Sequence, residues 1–119
     1  MKSGRFARHQ RLLKPAEFKH VFAQPVRLSN HNMTILVREN KLNHARLGLA
    51  ISKKQLRRAV DRNRVKRLVR ESFRQRQEMF PGFDCVVMVR SSLSTLSNSA
   101  IFETLDKHWN RLAEKCGKS

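Results

Sequence analysis

The chain has 119 residues, 26 of them Lys or Arg against 9 Asp or Glu, for a formal net charge of +17 at pH 7. That length predicts one domain with a real core, and the 39% of apolar residues, gathered in segments, argue against a disordered chain. No apolar run approaches the roughly 18–20 residues of a membrane span, and so one-sided a charge points to a polyanion, to nucleic acid before anionic membrane or acidic protein.

Residues 1–13 read as a basic arm, "MKSGRFARHQRLL", with no continuous apolar stretch of the kind a secretory signal carries. Pro15 suits the first turn of a helix, and Glu17 sits at its positive dipole end. Phe18, Val21 and Phe22 share one face of that helix, and "QP" at Gln24 and Pro25 stops it. "MTILVR", within Asn32 to Arg38, predicts a strand, and "RLGLAIS", Arg46 to Ser52, a second one of central character. A long helix follows, from Leu56 or Ala59 to Gln77, broken by Pro81 and Gly82.

"FDCVVMVR" is the third clear strand. Cys85 within it reads as a plain buried apolar residue, and its distance from Cys116 fits neither a CxxC motif nor a zinc framework, consistent with a reducing cytoplasm. A last helix, about Ser99 to Lys115, has Ser97 or Asn98 as its cap and gathers Ile101, Leu105, His108, Trp109 and Leu112 on one face. Residues 116–119 read as a frayed tail. Helix, two or three strands, helix, strand, helix is the order of an α+β sandwich.

The informative segment is "DRNRVKRLVRESFRQR", Asp61 to Arg76. At about 100° per residue, Val65, Leu68, Val69, Ser72 and Phe73 fall on one arc. Asn63, Lys66, Arg67, Arg70 and Arg74 fall on the other side, with Arg62 and Arg64 at its edges. Glu71 is the only acid between Arg62 and Arg76, so pairing along the helix leaves the face positive, and like charges four apart repel by a few tenths of a kcal/mol per pair. An external anion explains such a face, because guanidinium forks match phosphate oxygens. Lys53, Lys54, Arg57 and Arg58 extend the patch, so that 11 of the 26 basic residues lie between positions 53 and 76. Phe18 and Phe22 are open to two readings on spacing alone: core residues, or a platform on which unpaired bases stack.

No catalytic constellation accompanies this patch. The acids are scattered, the five histidines have no metal-ligand spacing, and there is neither a phosphate-binding loop nor a dinucleotide fingerprint.

"RNRVKRLVRESFR" closely resembles the signature of the bacterial ribonuclease P protein component. "LLKPAEFKHVF", "RLGLAISKKQLRRAVDRNR" and "FDCVVMVR" resemble the family's first helix, its strand with the following SKK turn, and its late strand, so the likeness spans nearly the whole chain. The resemblance implies a two-layer α+β sandwich similar to the second domain of ribosomal protein S5, in αβββαβα order with a left-handed βαβ crossover. It implies a catalytic RNA as partner, with magnesium bound mainly through that RNA, in a 1:1 ribonucleoprotein that removes the 5′ leader of precursor transfer RNA. The protein itself is then non-catalytic. Carried over by position, Lys53, Lys54, Arg57, Arg58, Arg62, Asn63, Arg64, Lys66, Arg67, Arg70 and Arg74 are RNA-binding, and Phe18, Phe22 and Leu36 line the leader cleft. Leu36 stands where some members carry an aromatic. A structural ribosomal protein and a self-sufficient nuclease are the competing readings.

Overall fold

The computed structural model describes Arg11, Leu12 and residues 14–116. Helix α1 (Pro15–Ala23) begins on its proline, with Glu17 Oε1 accepting the Lys14 amide at 3.0 Å, and ends at the Gln24–Pro25 step. Strands β1 (Val26–Ser29), β2 (Met33–Glu39) and β3 (Arg46–Ala50) follow. Next come α2 (Ala59–Arg76), β4 (Phe83–Val89) and α3 (Asn98–Lys115), with single 3₁₀ turns at Gln77–Met79 and Ser91–Thr95. The expected αβββαβα order is therefore present. The Ser97 side chain caps α3, its hydroxyl accepting the Ala100 amide at 3.1 Å.

The four strands form one mixed sheet in the order β1-β2-β4-β3. β1 and β4 flank β2 antiparallel, while β3 runs parallel to β4, so α2 is the crossover of a βαβ unit. β1 is only four residues long at a sheet edge, and its inward Val26 and Leu28 alternate with exposed Arg27 and Ser29. That is too little pattern to mark a strand in the sequence by itself. β2 and β4 are central, and Met33–Val37 and Phe83–Val87 are buried throughout, on both faces of the sheet.

Alternation along the strands sends their side chains into two layers. On one side Met33, Ile35, Val37, Leu47, Cys85 and Val87 meet Val65, Leu68, Val69 and Phe73 of α2 and Ile101, Leu105, Trp109 and Leu112 of α3. Trp109 is fully buried, edge-on to Phe73 and Phe80 at ring separations of 5.8 and 5.7 Å, and its indole N–H donates to Ser72 Oγ at 2.9 Å. The one hydroxyl on the apolar arc of α2 thus satisfies the one polar atom of the largest core side chain. On the other side Leu36 and Val86 meet Val21 of α1 and Leu12.

The basic arm predicted for residues 1–13 is pinned near its end. Arg11 forms a parallel bridge to Leu47, and the Leu12 amide donates to the Leu47 carbonyl at 2.9 Å. Residues 1–10 and 13 lie outside the described residues, as do 117–119 of the predicted tail. Cys116, by contrast, packs partly buried against the main core.

Asp84 on β4 is 1% exposed. Arg46 of β3 grips it with both arms of its fork, Nε to Oδ1 at 2.9 Å and Nη2 to Oδ2 at 2.8 Å, and Asn40 donates to Oδ1 at 2.7 Å. The third arm of Arg46 reaches Glu17 of α1 at 3.0 Å. The Asp84 hydrogen bond, opposed by burial, raises the Arg46 pKa further above its ordinary value. Arg46→Met should lower the unfolding free energy by about 3–5 kcal/mol, because it strands a buried carboxylate. Glu17→Gln should cost within about 1 kcal/mol, since a partly exposed pair is screened. Urea denaturation of both variants checks this, and equal losses would refute the ranking.

His108 is the other buried polar group of note, 6% exposed, with Nδ1 donating to the Thr104 carbonyl at 2.9 Å. Burial pushes its pKa below the ordinary 6.5; the Thr104 bond opposes that shift and nearby Arg111 adds to it. Between the folded and unfolded values the unfolded chain binds more protons, so this contribution to stability is complete above pH 6.5 and is lost as the pH falls below it. The denaturation midpoint should therefore drop on acidification from neutral pH into this window, and less steeply for His108→Leu. Superimposable slopes for the two proteins would remove His108 as the cause.

Candidate nucleic-acid interface

The apolar arc of α2 lies where its periodicity put it, with Val65, Leu68, Val69, Ser72 and Phe73 all buried. The cations opposite divide into two groups. Arg62 Nη1 donates to the Leu56 and Arg57 carbonyls, both at 2.8 Å, and so ties down the turn that leads into its own helix. Arg64 bonds Asn98 Oδ1 at 2.8 Å and the Leu96 carbonyl, fixing α2 to the start of α3. Arg74 pairs with Glu71 one turn back. Arg76 reaches Asp106 of α3 at 3.2 Å. These four are braces as well as charges.

Lys53, Lys54, Arg57, Arg58, Asn63, Lys66, Arg67 and Arg70 form the second group. Their side chains make no hydrogen bond or ion pair among the described residues, and Lys66 and Arg70 alone are partly buried. Burial, and then the positive charge of Arg11, push the Arg70 guanidinium below its ordinary pKa, although it stays charged at neutral pH. Cations held together at this cost are relieved by an anion between them.

Lys66 and Arg70 open onto a groove of about 190 Å³ that they share with Arg11, Leu12, Phe18 and Leu49. Here α1 crosses the sheet: Phe18 lies over Gly48 of β3, Val21 over Leu36 and Val86, and the chain then turns into β1. Gly48 has no unusual backbone angle. It is required by contact, since a Cβ there would stand 2.6 Å from Phe18 Cε1 and 2.9 Å from Leu12 Cδ1.

The part of this sheet face that α1 leaves uncovered is a trough of about 980 Å³. Thr34, Ala50 and Met88 contribute to its floor, and Arg27, His31 and Arg90 border it. Leu49 borders both the trough and the Phe18 groove, so the two join over the β3 edge. At its far end Gln55 Oε1 accepts the Ser91 amide at 3.0 Å, and Ser52 Oγ accepts the Gln55 amide at 3.2 Å. These bonds hold the turn that carries Lys53 and Lys54 against the trough.

The three predicted cleft residues have different surroundings. Phe22 is 44% exposed and Phe18 half-buried. Leu36 is 3% exposed beneath Val21, so it supports α1 from below and offers no open surface, in place of the cleft contact expected of it. Arg27 and Arg90, which sequence reasoning passed over, stand on the trough side. Arg27 pairs with Leu36 and so shares its face, and Arg90 follows Met88 in alternation. Neither makes a side-chain hydrogen bond or ion pair among the described residues. Only strand register reveals them; nothing in their local sequence does.

A small basic α+β protein, with unpaired cations framing a trough and a strongly basic helix beside it, is the class that fold and surface define. The chain belongs to the ribonuclease P protein family, whose model matches residues 6–113. It is 50% identical over 113 residues to the ribonuclease P protein component of Haemophilus influenzae (strain PittGG), covering 92% of this chain and 95% of that one. Among solved structures it is similar to the Staphylococcus aureus RNase P protein, with a TM-score of 0.79 and 30% identity over 87% of this chain and 94% of that one. It is likewise similar to the Thermotoga maritima RNase P protein, with a TM-score of 0.74 and 33% identity over 85% of this chain and 96% of that one. Membership makes it part of a ribonucleoprotein endonuclease of transfer RNA processing.

Gly48→Ala should displace Phe18 and Leu12 and destabilise the protein by about 1–3 kcal/mol, the usual penalty of overpacking. The ring-proton shifts of Phe18, read by NMR, should move while those of Trp109, on the other side of the sheet, hold still. Unchanged Phe18 resonances would refute the close approach.

Proposed function

We propose that the protein binds the catalytic RNA of ribonuclease P through the free cations of α2 and its preceding turn, and receives the single-stranded 5′ leader of precursor transfer RNA in the trough beside α1. The single observation that carries this reading is the sorting of the cations on α2 and its preceding turn: Arg62, Arg64, Arg74 and Arg76 are taken up by internal partners, while Lys53, Lys54, Arg57, Arg58, Lys66, Arg67 and Arg70 have none among the described residues and form one continuous basic surface beside the trough. A phosphodiester strand supplies the missing anions at regular spacing. Lys66 and Arg70 at the groove with Phe18 suit a strand that crosses the β3 edge, where a base stacks on an aromatic ring and phosphates meet the cations.

Hydrolysis in this reading belongs to the RNA and its magnesium ions. Among the described residues no three His, Cys, Asp or Glu side chains are grouped to hold a metal, and the magnesium would be held chiefly by RNA phosphates. The protein's part is to add positive charge where the strands converge and to keep the leader extended. A 1:1 particle suits a protein with one trough and one basic helix. A ribosomal role would leave the trough without a task.

Reconstitution with a bacterial ribonuclease P RNA at low magnesium tests the proposal. Arg67→Ala should weaken binding of the RNA component and flatten its salt dependence by roughly one unit of slope. Arg27→Ala with Arg90→Ala should weaken binding of precursor more than of mature transfer RNA, by roughly tenfold if two phosphate contacts are lost. Equal losses on both substrates would take the leader out of the trough, and cleavage by RNA-free protein would overturn the division of labour.

A further inference from the structure

We infer that the groove between β1 and α3, on the helix-covered side of the sheet, is a second docking surface for the RNA backbone of the particle, separate from both the trough and α2. It measures about 380 Å³ and is lined by Leu28, Ser29 and Asn30 from the β1 side and by Thr104, Lys107, His108, Asn110 and Arg111 of α3.

Its chemistry is that of a phosphate-sugar backbone. Among the described residues the lining offers the side chains of two cations, Lys107 and Arg111, two amides, Asn30 and Asn110, and the Thr104 hydroxyl, with no acid, while Ser29 turns its own hydroxyl to Thr34 on the opposite face. Lys107 and Arg111 are exposed, one helical turn apart, and among the described residues neither makes an ion pair or a side-chain hydrogen bond. This is not the mixed surface that the rest of α3 presents. Asp106 faces α2 and is taken by Arg76 at 3.2 Å, and Glu103 and Glu114, the other acids on this stretch of α3, lie outside the lining of the groove, so that its own charged side chains are both cations.

A second observation is independent of charge. The Thr104 carbonyl accepts from His108 Nδ1, which fixes the tautomer and makes Nε2 an acceptor. Among the described residues that buried Nε2 has no hydrogen-bond partner. Buried polar atoms are rarely left so, and His108 borders the groove, so a donor arriving there is the partner Nε2 lacks. A ribose 2′-hydroxyl is such a donor, and it distinguishes RNA from DNA. Nε2 is covered in the free protein, so that contact needs a small side-chain movement, whereas the phosphate contacts of Lys107 and Arg111 need none.

The groove cannot be served by a leader lying in the trough. Leu28 belongs to the layer under α2 and α3, and Arg27 to the opposite face. The occupant is therefore a different stretch of RNA, and the ribonucleoprotein's own RNA is the one that stays bound. This inference rests on the RNA-partner reading above.

The test is the double variant Lys107→Ala/Arg111→Ala, altered only at exposed positions, titrated with ribonuclease P RNA over a range of salt beside Arg67→Ala. Affinity should fall roughly tenfold and the salt slope by about two units, one for each lost contact, while the preference for precursor over mature transfer RNA stays unchanged. Wild-type affinity and slope in the double variant, with Arg67→Ala weakened, would overturn the groove and leave the RNA reading intact. If neither variant is weakened, the RNA reading itself fails.

Discussion

The grip of Arg46 on Asp84 is the contact on which the functional surface depends. It joins β3 to β4 at the first pair of their parallel register, where no hairpin fixes alignment as one does between β1 and β2. Through its remaining arm to Glu17 it sets α1 across the sheet. The position of α1 decides how much of that face stays open, and this ion pair holds it, together with Phe18 over Gly48 and Val21 over Leu36 and Val86. The contact is demanding, because a carboxylate at 1% exposure needs all of its partners. Asn40 provides a further one at 2.7 Å and, by also donating to the His44 carbonyl at 3.2 Å, ties in the β2–β3 loop.

A net charge of +17 works against any such compact body. The structure relieves part of it locally. Arg38 donates to the His20 carbonyl at 2.7 Å at the end of α1, Arg62 and Arg64 use carbonyl groups, and Arg74 and Arg76 use the few acids within reach. The two arginines of the signature thus have intramolecular work to do: they position α2, and Asn63 between them stays exposed. The remaining cations are held rigidly, because the helix beneath them is buried along its whole apolar arc. Repulsion among them is retained in the free protein and released when an anion arrives, so binding and folding draw on the same electrostatic term.

How much of this was legible in the sequence follows from the range of each signal. Periodicity is local, so the bounds of α1 and α2, the buried arc Val65 to Phe73 and the core position of Trp109 could be read from neighbours a few residues apart. β1 could not be delimited, because four residues at an edge carry hardly two periods of alternation. The family resemblance placed Leu36 in the cleft, and it lies buried because α1 crosses directly above it, a tertiary fact. Arg27 and Arg90 were missed for the complementary reason: the register of β1 on β2 and of β2 on β4 brings both to one face from 63 positions apart in the chain.

The same distinction explains why the two phenylalanines of α1, one turn apart, are not equivalent. Phe18 is held over Gly48, where the absence of a side chain brings the ring close to the backbone of β3. It is a fixed wall of the groove that Lys66 and Arg70 border. Phe22, at 44% exposure, has no such seat and presents its ring to solvent at the end of the helix that leads into β1. A large apolar side chain exposed on a protein this polar loses hydrophobic free energy until something covers it. Under the proposed function the two rings would serve one strand in different ways: the fixed ring would set a surface against which a base is oriented, and the exposed ring would add affinity through burial that occurs only on binding. In that reading the basic helix accounts for the attraction of RNA, and α1 for where an unpaired strand can lie.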